Sequence, residues 1–163
     1  MTVGIGFDTH PLVSGRRLVL GGVEIPFEKG LEGHSDADAL AHAVIDAILG
    51  AACAGDIGSC FGTDDPQYKD VSSLLLLREA FQRVQTLGYT VNHIDATIIA
   101  EAPKLAPYIA QMRANLAESI RTPIEGVSVK AATANRVGAL GAGHGIACLA
   151  IASLRRRPMT SEG

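Results

Sequence analysis

The sequence has few of the residues that define several large classes of protein. It has only three cysteines, and they form no CxxC pair, so it indicates neither a disulfide framework nor a thiolate zinc site. It has no apolar run that approaches the roughly 18 residues of a membrane-spanning helix, and it begins directly with a strand pattern, so we expect a cytoplasmic protein without a membrane partner. Basic residues number 14 against 17 acidic ones, for a net charge of −3, so we expect no nucleic-acid partner.

The length and composition are those of a single globular domain. A chain of 163 residues has the usual length of one domain, which we assign to residues 1–157, with residues 158–163 expected to form a flexible C-terminal tail. Tryptophan is absent and only 4% of the residues are aromatic, yet 47% are apolar and the mean hydropathy is +0.23. This balance favours a surface covered by a partner subunit, and a monomer rich in Val, Ile and Ala is the alternative.

Hydrophobic periodicity and turn residues predict an α+β fold. Alternating or short apolar runs indicate strands, and apolar residues at helical spacing between capping residues and glycines indicate helices. Ser35 or Asp36 is the expected cap of the first helix, and residues 27–35 before it are expected to be a surface loop. The predicted strands are 3–7, 89–100, 127–131 and 146–154, with a hairpin at 16–26, and the predicted helices are about 36–53, 74–87 and 107–120. This order predicts a mixed β-sheet with its helices on one face.

Two groups of polar residues interrupt these apolar elements. Asp8 and His10 follow the first strand and point to the same side of an extended chain, and His42 lies on the first helix. Together they offer the three N and O ligands of a catalytic zinc site, with a fourth position left open. Asp46, one helical turn after His42, is the expected acceptor for the other imidazole N–H. The alternative is that each histidine is an ordinary structural or exposed residue, because the spacing does not show that the three meet.

Four motifs at separate places in the chain carry a resemblance to a known family. They are Gly6-Phe7-Asp8-Thr9-His10, Gly33-His34-Ser35-Asp36-Ala37-Asp38 with His42, Gly55-Asp56-Ile57-Gly58, and Ala100-Glu101-Ala102-Pro103-Lys104. In order and spacing, the series resembles that of the 2-C-methyl-D-erythritol 2,4-cyclodiphosphate synthase family, nearly from end to end.

The resemblance implies a reaction and an assembly. The implied enzyme is a metal-dependent phosphorus–oxygen lyase of the methylerythritol phosphate route to isoprenoid precursors. It cyclises 4-diphosphocytidyl-2-C-methyl-D-erythritol 2-phosphate to the 2,4-cyclodiphosphate and releases CMP. Family members are homotrimers whose sheets pack around a threefold axis, with active sites between subunits. The implied cofactors are Zn at Asp8, His10 and His42, and a second divalent cation, Mg or Mn, that binds with the substrate.

The resemblance also implies roles for individual residues. His34 and Thr133 would donate hydrogen bonds in the transition state. The substrate pocket would comprise Asp8, His10, His34, Ser35, Asp56, Ile57, Gly58, Phe61, Gly62, Thr63, Asp64 and Asp65. The cytidine and phosphate pocket would comprise Ala100, Glu101, Ala102, Pro103, Lys104, Leu105, Ala106, Ala132, Thr133, Ala134 and Asn135.

The chain departs from the family pattern at two places in these pockets. Gly62 and Thr63 replace a common Pro-Asp pair. Asn135 replaces a glutamate that helps to bind the second cation, and a neutral amide is a weaker ligand for a hard cation than a carboxylate is.

Two other functions fit the ligand set without the resemblance. One is a zinc-dependent phosphate ester hydrolase, which needs a general base such as Asp56 or Asp46 beside the metal. The other is a trimeric metal-binding scaffold, which has no evident use for His34 and Ser35 in a glycine-flanked loop.

Overall fold

The fold of the computed structural model, which describes residues 1–62, 66–68 and 70–157, is built on one mixed β-sheet. The strands are β1 (Thr2–Ser14), β2 (Leu18–Leu20), β3 (Val23–Ile25), β4 (Lys29–Leu31), β5 (Tyr89–Ile99), β6 (Val127–Ala132) and β7 (Gly145–Arg156). Five of them form the main sheet in the order β4-β1-β7-β5-β6, and β2 and β3 form a separate hairpin. Only the β5–β6 pair is parallel among these; the other pairs are antiparallel.

The helices cover one face of this sheet. They are α1 (Ala39–Ala51), α2 (Ile57–Phe61), α3 (Ser73–Thr86), α4 (Ile109–Ser119) and the single turn α5 (Gly138–Gly141). Helix α1 is rich in alanine and nearly completely buried, and it packs directly on β1 and β7. Helix α3 lies against α1 and β5, and α4 lies against α3 and β6, with charged residues toward solvent. The predicted α+β fold is confirmed.

Two glycines of β1 allow α1 to approach the sheet closely. A Cβ atom on Gly6 would lie 2.0 Å from the carbonyl oxygen of Ala43, and one on Gly4 would lie 2.3 Å from that of Ala47. Any larger side chain at these two positions would push the helix away from the strand. The pair therefore sets the distance between the two elements that carry the candidate ligands.

The opposite face of β1 is apolar and exposed. Side chains at alternate positions point away from the helices, and Val3, Ile5 and Phe7 are each more than half exposed. Ile151 on the neighbouring strand β7 extends the same exposed surface. A sheet face of this kind is unusual at the surface of a soluble protein unless another subunit covers it.

Several element boundaries differ from the sequence prediction. The cap of α1 is Asp38 and neither Ser35 nor Asp36, because the carboxylate of Asp38 accepts the N–H of Ala41 at 3.0 Å. The predicted loop at 27–35 contains strand β4, which pairs with the end of β1. Helix α3 begins at Ser73, one residue before the predicted start, and the side chain of the preceding Ser72 makes no capping hydrogen bond.

Two further expectations concern the chain as a whole. The predicted tail at 158–163 lies outside the described residues. Within the residues that the structure does describe, no helix combines the length and the apolar character needed to cross a membrane.

Candidate active site

Strand β1 and helix α1 bring Asp8, His10 and His42 together. The side chains of Asp8 and His10 lie on the helix-facing side of β1, since they alternate with the exposed residues of the strand. His42 projects from α1 where Gly6 lets the helix approach most closely. The Oδ2 atom of Asp8 lies 2.9 Å from Nε2 of His10 and 2.9 Å from Nδ1 of His42. The two imidazole nitrogens are 3.4 Å apart.

These spacings fit a first-row metal ion. Four ligand atoms about 2.0–2.1 Å from a tetrahedral metal lie about 3.3 Å from one another. The three atoms observed here form one triangular face of such a tetrahedron, with one further position open. The cluster of Asp8, His10 and His42 therefore has the ligands and the spacing to hold a metal ion.

The hydrogen bond made by Nδ1 of His10 leaves Nε2, the nitrogen that faces Asp8, available for a metal ion. Nδ1 of His10 lies 2.6 Å from the carbonyl oxygen of Glu32, which only accepts, so this nitrogen carries a hydrogen. In the neutral ring Nε2 then presents its lone pair to Asp8. A polar backbone contact that orients the ring in this way is typical of metal-ligating histidines.

The electrostatics of the cluster favour a cation. Burial opposes ionisation of Asp8, but hydrogen bonds from His10 and His42 and their charges outweigh it and hold the pKa of Asp8 well below its ordinary value. Burial likewise opposes the charged form of His10, yet the hydrogen bond and charge of Asp8 raise the pKa of His10 above its ordinary value. The carboxylate is thus ionised at neutral pH, and it favours either a proton on His10 or a metal ion between the three side chains.

The cluster opens into a cavity of about 210 Å³. The cavity is lined by the three ligands and by His34, Ser35, Ile57, Gly58, Phe61, Gly62, Tyr68 and Leu76. It brings together most of the predicted substrate pocket. Thr63, Asp64 and Asp65 lie outside the described residues.

Three residues near the cluster were missed by the sequence prediction. Tyr68 and Leu76 line the cavity, and the ring of Tyr68 meets that of Phe61 edge-on at 5.5 Å. The Oγ atom of Ser73 lies 2.8 Å from Nε2 of His42. A serine beside a helix start is expected to cap the helix, so its sequence position alone does not reveal a contact with a histidine 31 residues away.

The two carboxylates expected near the metal are bound elsewhere. Oδ1 of Asp46 accepts the N–H of Ile57 at 2.8 Å and so holds α2 against α1, while the outer nitrogen of His42 contacts Ser73 and Ser35. The prediction that Asp46 accepts the second N–H of His42 therefore needs correction. Asp56 caps α2 through the N–H of Ser59 at 2.7 Å, and this bond lowers the pKa of Asp56.

A second cavity, of about 360 Å³, lies beside the ends of β5 and β6. Its lining comprises Ala100, Glu101, Pro103, Lys104, Leu105, Ala106, Ala131, Ala132 and Thr133. These residues include most of the predicted cytidine and phosphate pocket. Ala102 forms a cis peptide bond with Pro103 in the same loop.

Asn135 lies beside this second cavity, hydrogen-bonded to the lining residue Thr133. The hydroxyl of Thr133 donates to Oδ1 of Asn135 at 3.1 Å, and the backbone of Asn135 is left-handed, with φ of 51°. The carboxylate of Glu101 accepts the N–H of Arg136 at 2.9 Å. Within the described residues the two cavities share no lining side chain, so one chain does not bring His34 and Thr133 into the same pocket.

The fold and the site define a class: a metal-binding enzyme in which an Asp-His-His cluster lies between a mixed sheet and the helix packed on it. More particularly, the chain belongs to the YgbB family, whose model matches residues 1–155. A 2-C-methyl-D-erythritol 2,4-cyclodiphosphate synthase of Alkaliphilus oremlandii is 54% identical over 154 residues, which are 94% of this chain and 98% of that protein. The family resemblance is therefore confirmed.

Solved structures agree with this assignment. The bifunctional IspDF of Campylobacter jejuni matches with a TM-score of 0.92 and 37% identity over 96% of this chain, which spans 42% of that longer protein. IspF of Plasmodium falciparum in complex with CDP matches with a TM-score of 0.85 and 29% identity over 96% of this chain and 97% of that one.

Proposed function

We propose that this chain converts 4-diphosphocytidyl-2-C-methyl-D-erythritol 2-phosphate to 2-C-methyl-D-erythritol 2,4-cyclodiphosphate, with release of CMP. An oxygen of the 2-phosphate attacks the β-phosphorus, the bond from that phosphorus to the bridging oxygen breaks, and the bridging oxygen leaves on CMP. The observation that carries the proposal is the cluster of Asp8, His10 and His42 at the mouth of a cavity, in a chain about half identical to synthases of this name.

The two reacting groups are negatively charged phosphates, so the reaction needs positive charge beside them. Zinc bound by Asp8, His10 and His42 would supply positive charge and an open position beside the phosphate oxygens. His34, at the wall of the same cavity, donates a hydrogen bond to an oxygen of the reacting phosphates. A second divalent cation, Mg or Mn, would bind with the diphosphate. Because Asn135 is neutral, substrate oxygens and water would supply most of the ligands of this cation.

The two cavities divide the substrate between them. The methylerythritol group occupies the cavity next to the cluster, against Ile57, Gly58, Phe61 and Gly62. Asp56, Thr63, Asp64 and Asp65 are the other residues proposed to bind it. The cytidine group occupies the second cavity, where backbone groups of residues 100–106 and 132–135 read the base. Lys104 and Thr133 line that cavity and contact the phosphates from their side.

In a homotrimer around a threefold axis, the two kinds of cavity on neighbouring subunits come together as one active site. The exposed apolar face formed by Val3, Ile5, Phe7 and Ile151 is the surface that packs toward the axis. The cluster of one subunit then faces the cytidine cavity of the next, so each active site lies between two chains. We also propose a cytoplasmic location, since the substrate and products are highly charged small molecules that do not cross a membrane unaided.

The hydrolase and the scaffold are not favoured. A hydrolase needs a general base at the metal, and Asp46 and Asp56 have their carboxylates bound to the N–H groups of Ile57 and Ser59. A scaffold leaves the two lined cavities without a role. The relatives that match nearly the whole chain are named as cyclising synthases.

Phosphorus NMR of the reaction tests the proposal. The protein is incubated with the diphosphocytidyl methylerythritol phosphate, zinc and magnesium, and we expect CMP and a cyclic diphosphate to form together. His42→Ala should abolish both products, while Gln82→Ala, on the exposed side of α3 and outside the lining of both cavities, should not change the rate. A linear phosphate product with CMP would support a hydrolase instead.

A further inference from the structure

Ser73 connects the cluster ligand His42 to a second acidic residue, Asp36. Its hydroxyl contacts Oδ1 of Asp36 on one side and lies 2.8 Å from Nε2 of His42 on the other. Ser73 is completely buried and is the first residue of α3, so its side chain has little freedom to turn. The three groups form a chain of hydrogen bonds that leads away from the metal side of the imidazole.

The position of Asp36 is set by the backbone around it. Its Oδ2 atom accepts the N–H of Ser73 at 3.1 Å, and its Oδ1 atom accepts the N–H of Asp38 at 3.2 Å. The carboxylate therefore acts only as an acceptor toward its neighbours. It links the segment before α1 to the first turn of α3.

The direction of the hydrogen bonds follows from this arrangement. A carboxylate can only accept, so the single hydrogen of the Ser73 hydroxyl is donated to Asp36. The oxygen of Ser73 then has only lone pairs to offer His42, and Nε2 of that ring must carry the hydrogen between them. Ser35 is a second acceptor, with Oγ 3.2 Å from the same nitrogen.

We propose that Asp36 and Ser73 are positioning residues that hold His42 in the one neutral tautomer able to bind metal in this geometry. With the hydrogen on Nε2, the lone pair of Nδ1 points at Asp8 and His10. If Nδ1 carried the hydrogen instead, an N–H would occupy the place of the metal bond. This inference rests on the proposed metal-binding function of the cluster and assigns the residues that prepare it.

Both histidines of the cluster thus direct a lone pair toward the metal position, but different hydrogen-bond partners orient them. His10 is oriented by a backbone carbonyl, which no side-chain substitution removes. His42 is oriented by side-chain hydroxyls, of which Ser73, held by Asp36, is the nearer at 2.8 Å and Ser35 the farther at 3.2 Å. Substitution of Ser73 therefore affects one ligand selectively, and it leaves the other two ligands and the cavity in place.

Metal binding without substrate provides the test. The affinity of the metal-free protein for Zn²⁺ and Co²⁺ is measured by competition with a chelating dye. Ser73→Ala should weaken the affinities for Zn²⁺ and Co²⁺ by about 10–100-fold, which is the usual effect of removing the hydrogen-bond partner of a metal-ligating histidine. Ser72→Ala is the matched control, since the neighbouring hydroxyl makes no capping bond, and it should stay within about twofold of the wild type.

A second measurement on the unaltered protein does not depend on the folding of any variant. Long-range proton–nitrogen correlation spectra of the zinc-loaded protein report which nitrogen of each imidazole is protonated. We expect His42 to be protonated at Nε2 and ligated at Nδ1, and His10 to show the reverse. The opposite tautomer at His42, or an unchanged affinity in a folded Ser73→Ala protein, would overturn the positioning role alone. A wild-type protein that binds neither metal would overturn the metal site itself.

Discussion

Asp8 and Ala131 lie in one row across the sheet, three strands apart. Asp8 pairs with Cys148 on β7, Cys148 pairs with Ile98 on β5, and Ile98 pairs with Ala131 on β6. With about 4.8 Å between neighbouring strands, the two residues are about 14 Å apart. The metal cluster and the second cavity therefore lie at the same height of the sheet, on strands near its two edges.

This arrangement predicts that two inactive variants restore each other's activity. In a head-to-tail ring, the cluster edge of one subunit meets the cavity edge of the next at a matching height. His42→Ala removes a metal ligand, and Ala132→Trp fills the second cavity from an exposed position. Trimers co-expressed from equal amounts of both variants should regain roughly a quarter of the wild-type activity per site, since one site in four combines two intact halves.

The control for this experiment is each variant expressed alone, which should be inactive. Native mass spectrometry of differently tagged chains checks that mixed trimers have formed. If mixed trimers form and no activity returns, the active site is contained within one chain.

A charge on the exposed face of β1 should dissociate the proposed trimer. Phe7 is 55% exposed in the single chain, and its burial against partner subunits would stabilise the assembly by about 1.5–3 kcal/mol per side chain. Phe7→Glu replaces that gain with a buried charge at each contact. Light scattering after size-exclusion chromatography should change from the mass of three 17.0 kDa chains to that of one.

Gln82→Glu introduces the same charge on the exposed side of α3 and should leave the proposed trimer intact. A Phe7→Glu protein that remains trimeric would show that this face does not form the subunit contact.

Gly6→Ala should weaken both folding and metal binding. The added Cβ would lie 2.0 Å from the carbonyl oxygen of Ala43, so α1 must move away from β1 and carry His42 with it. Overpacking of this kind costs about 1–3 kcal/mol in the free energy of unfolding. Urea unfolding of the metal-free protein and dye competition for Zn²⁺ measure the two effects.

Gly50→Ala is the matched control on the same helix. The nearest atom to its Cβ is 4.0 Å away, so the substitution should stabilise α1 by about 0.5–1 kcal/mol. Equal effects of the two substitutions would contradict the role assigned to Gly6.

Asp38 should make the free energy of unfolding of the metal-free protein depend on pH. Burial raises the pKa of Asp38 to about 6, and the charge of Asp36 adds to the shift, against N–H hydrogen bonds from Ala41, Gly22 and Gly21. A pKa raised in the folded state means that the folded protein binds more protons than the unfolded chain. The contribution to stability is therefore complete below pH 3.8 and is lost as the pH rises toward about 6.

Urea unfolding between pH 4 and 7 compares the wild type with Asp38→Asn. The free energy of unfolding of the wild type should fall relative to that of the variant as the pH rises. Asp95→Asn is the control, because the hydrogen bond from Lys130 lowers the pKa of Asp95 and puts its titration below this range. A constant difference between the wild type and Asp38→Asn would contradict the raised pKa.

The sequence alone predicted much of the fold and of the metal cluster, for local reasons. Period-two alternation places Asp8 and His10 on one side of β1, and helical spacing places His42 on the buried element that follows. Gly88 has φ of 83° and ends α3 as its position predicts. Signals of this kind depend on neighbours within one turn or one strand, so they can be read without the rest of the chain.

The tertiary structure decided which partner each polar side chain takes. The sequence predicts Ser35 or Asp36 as the cap of α1, but Asp36 binds Ser73, 37 residues further along the chain, and Asp38 caps the helix instead. Asp46 binds the N–H of Ile57, and β4 forms only because the end of β1 lies beside it. A hydrogen-bond acceptor has several possible donors along a chain, and only the packing of helices on the sheet determines which one comes within 3 Å.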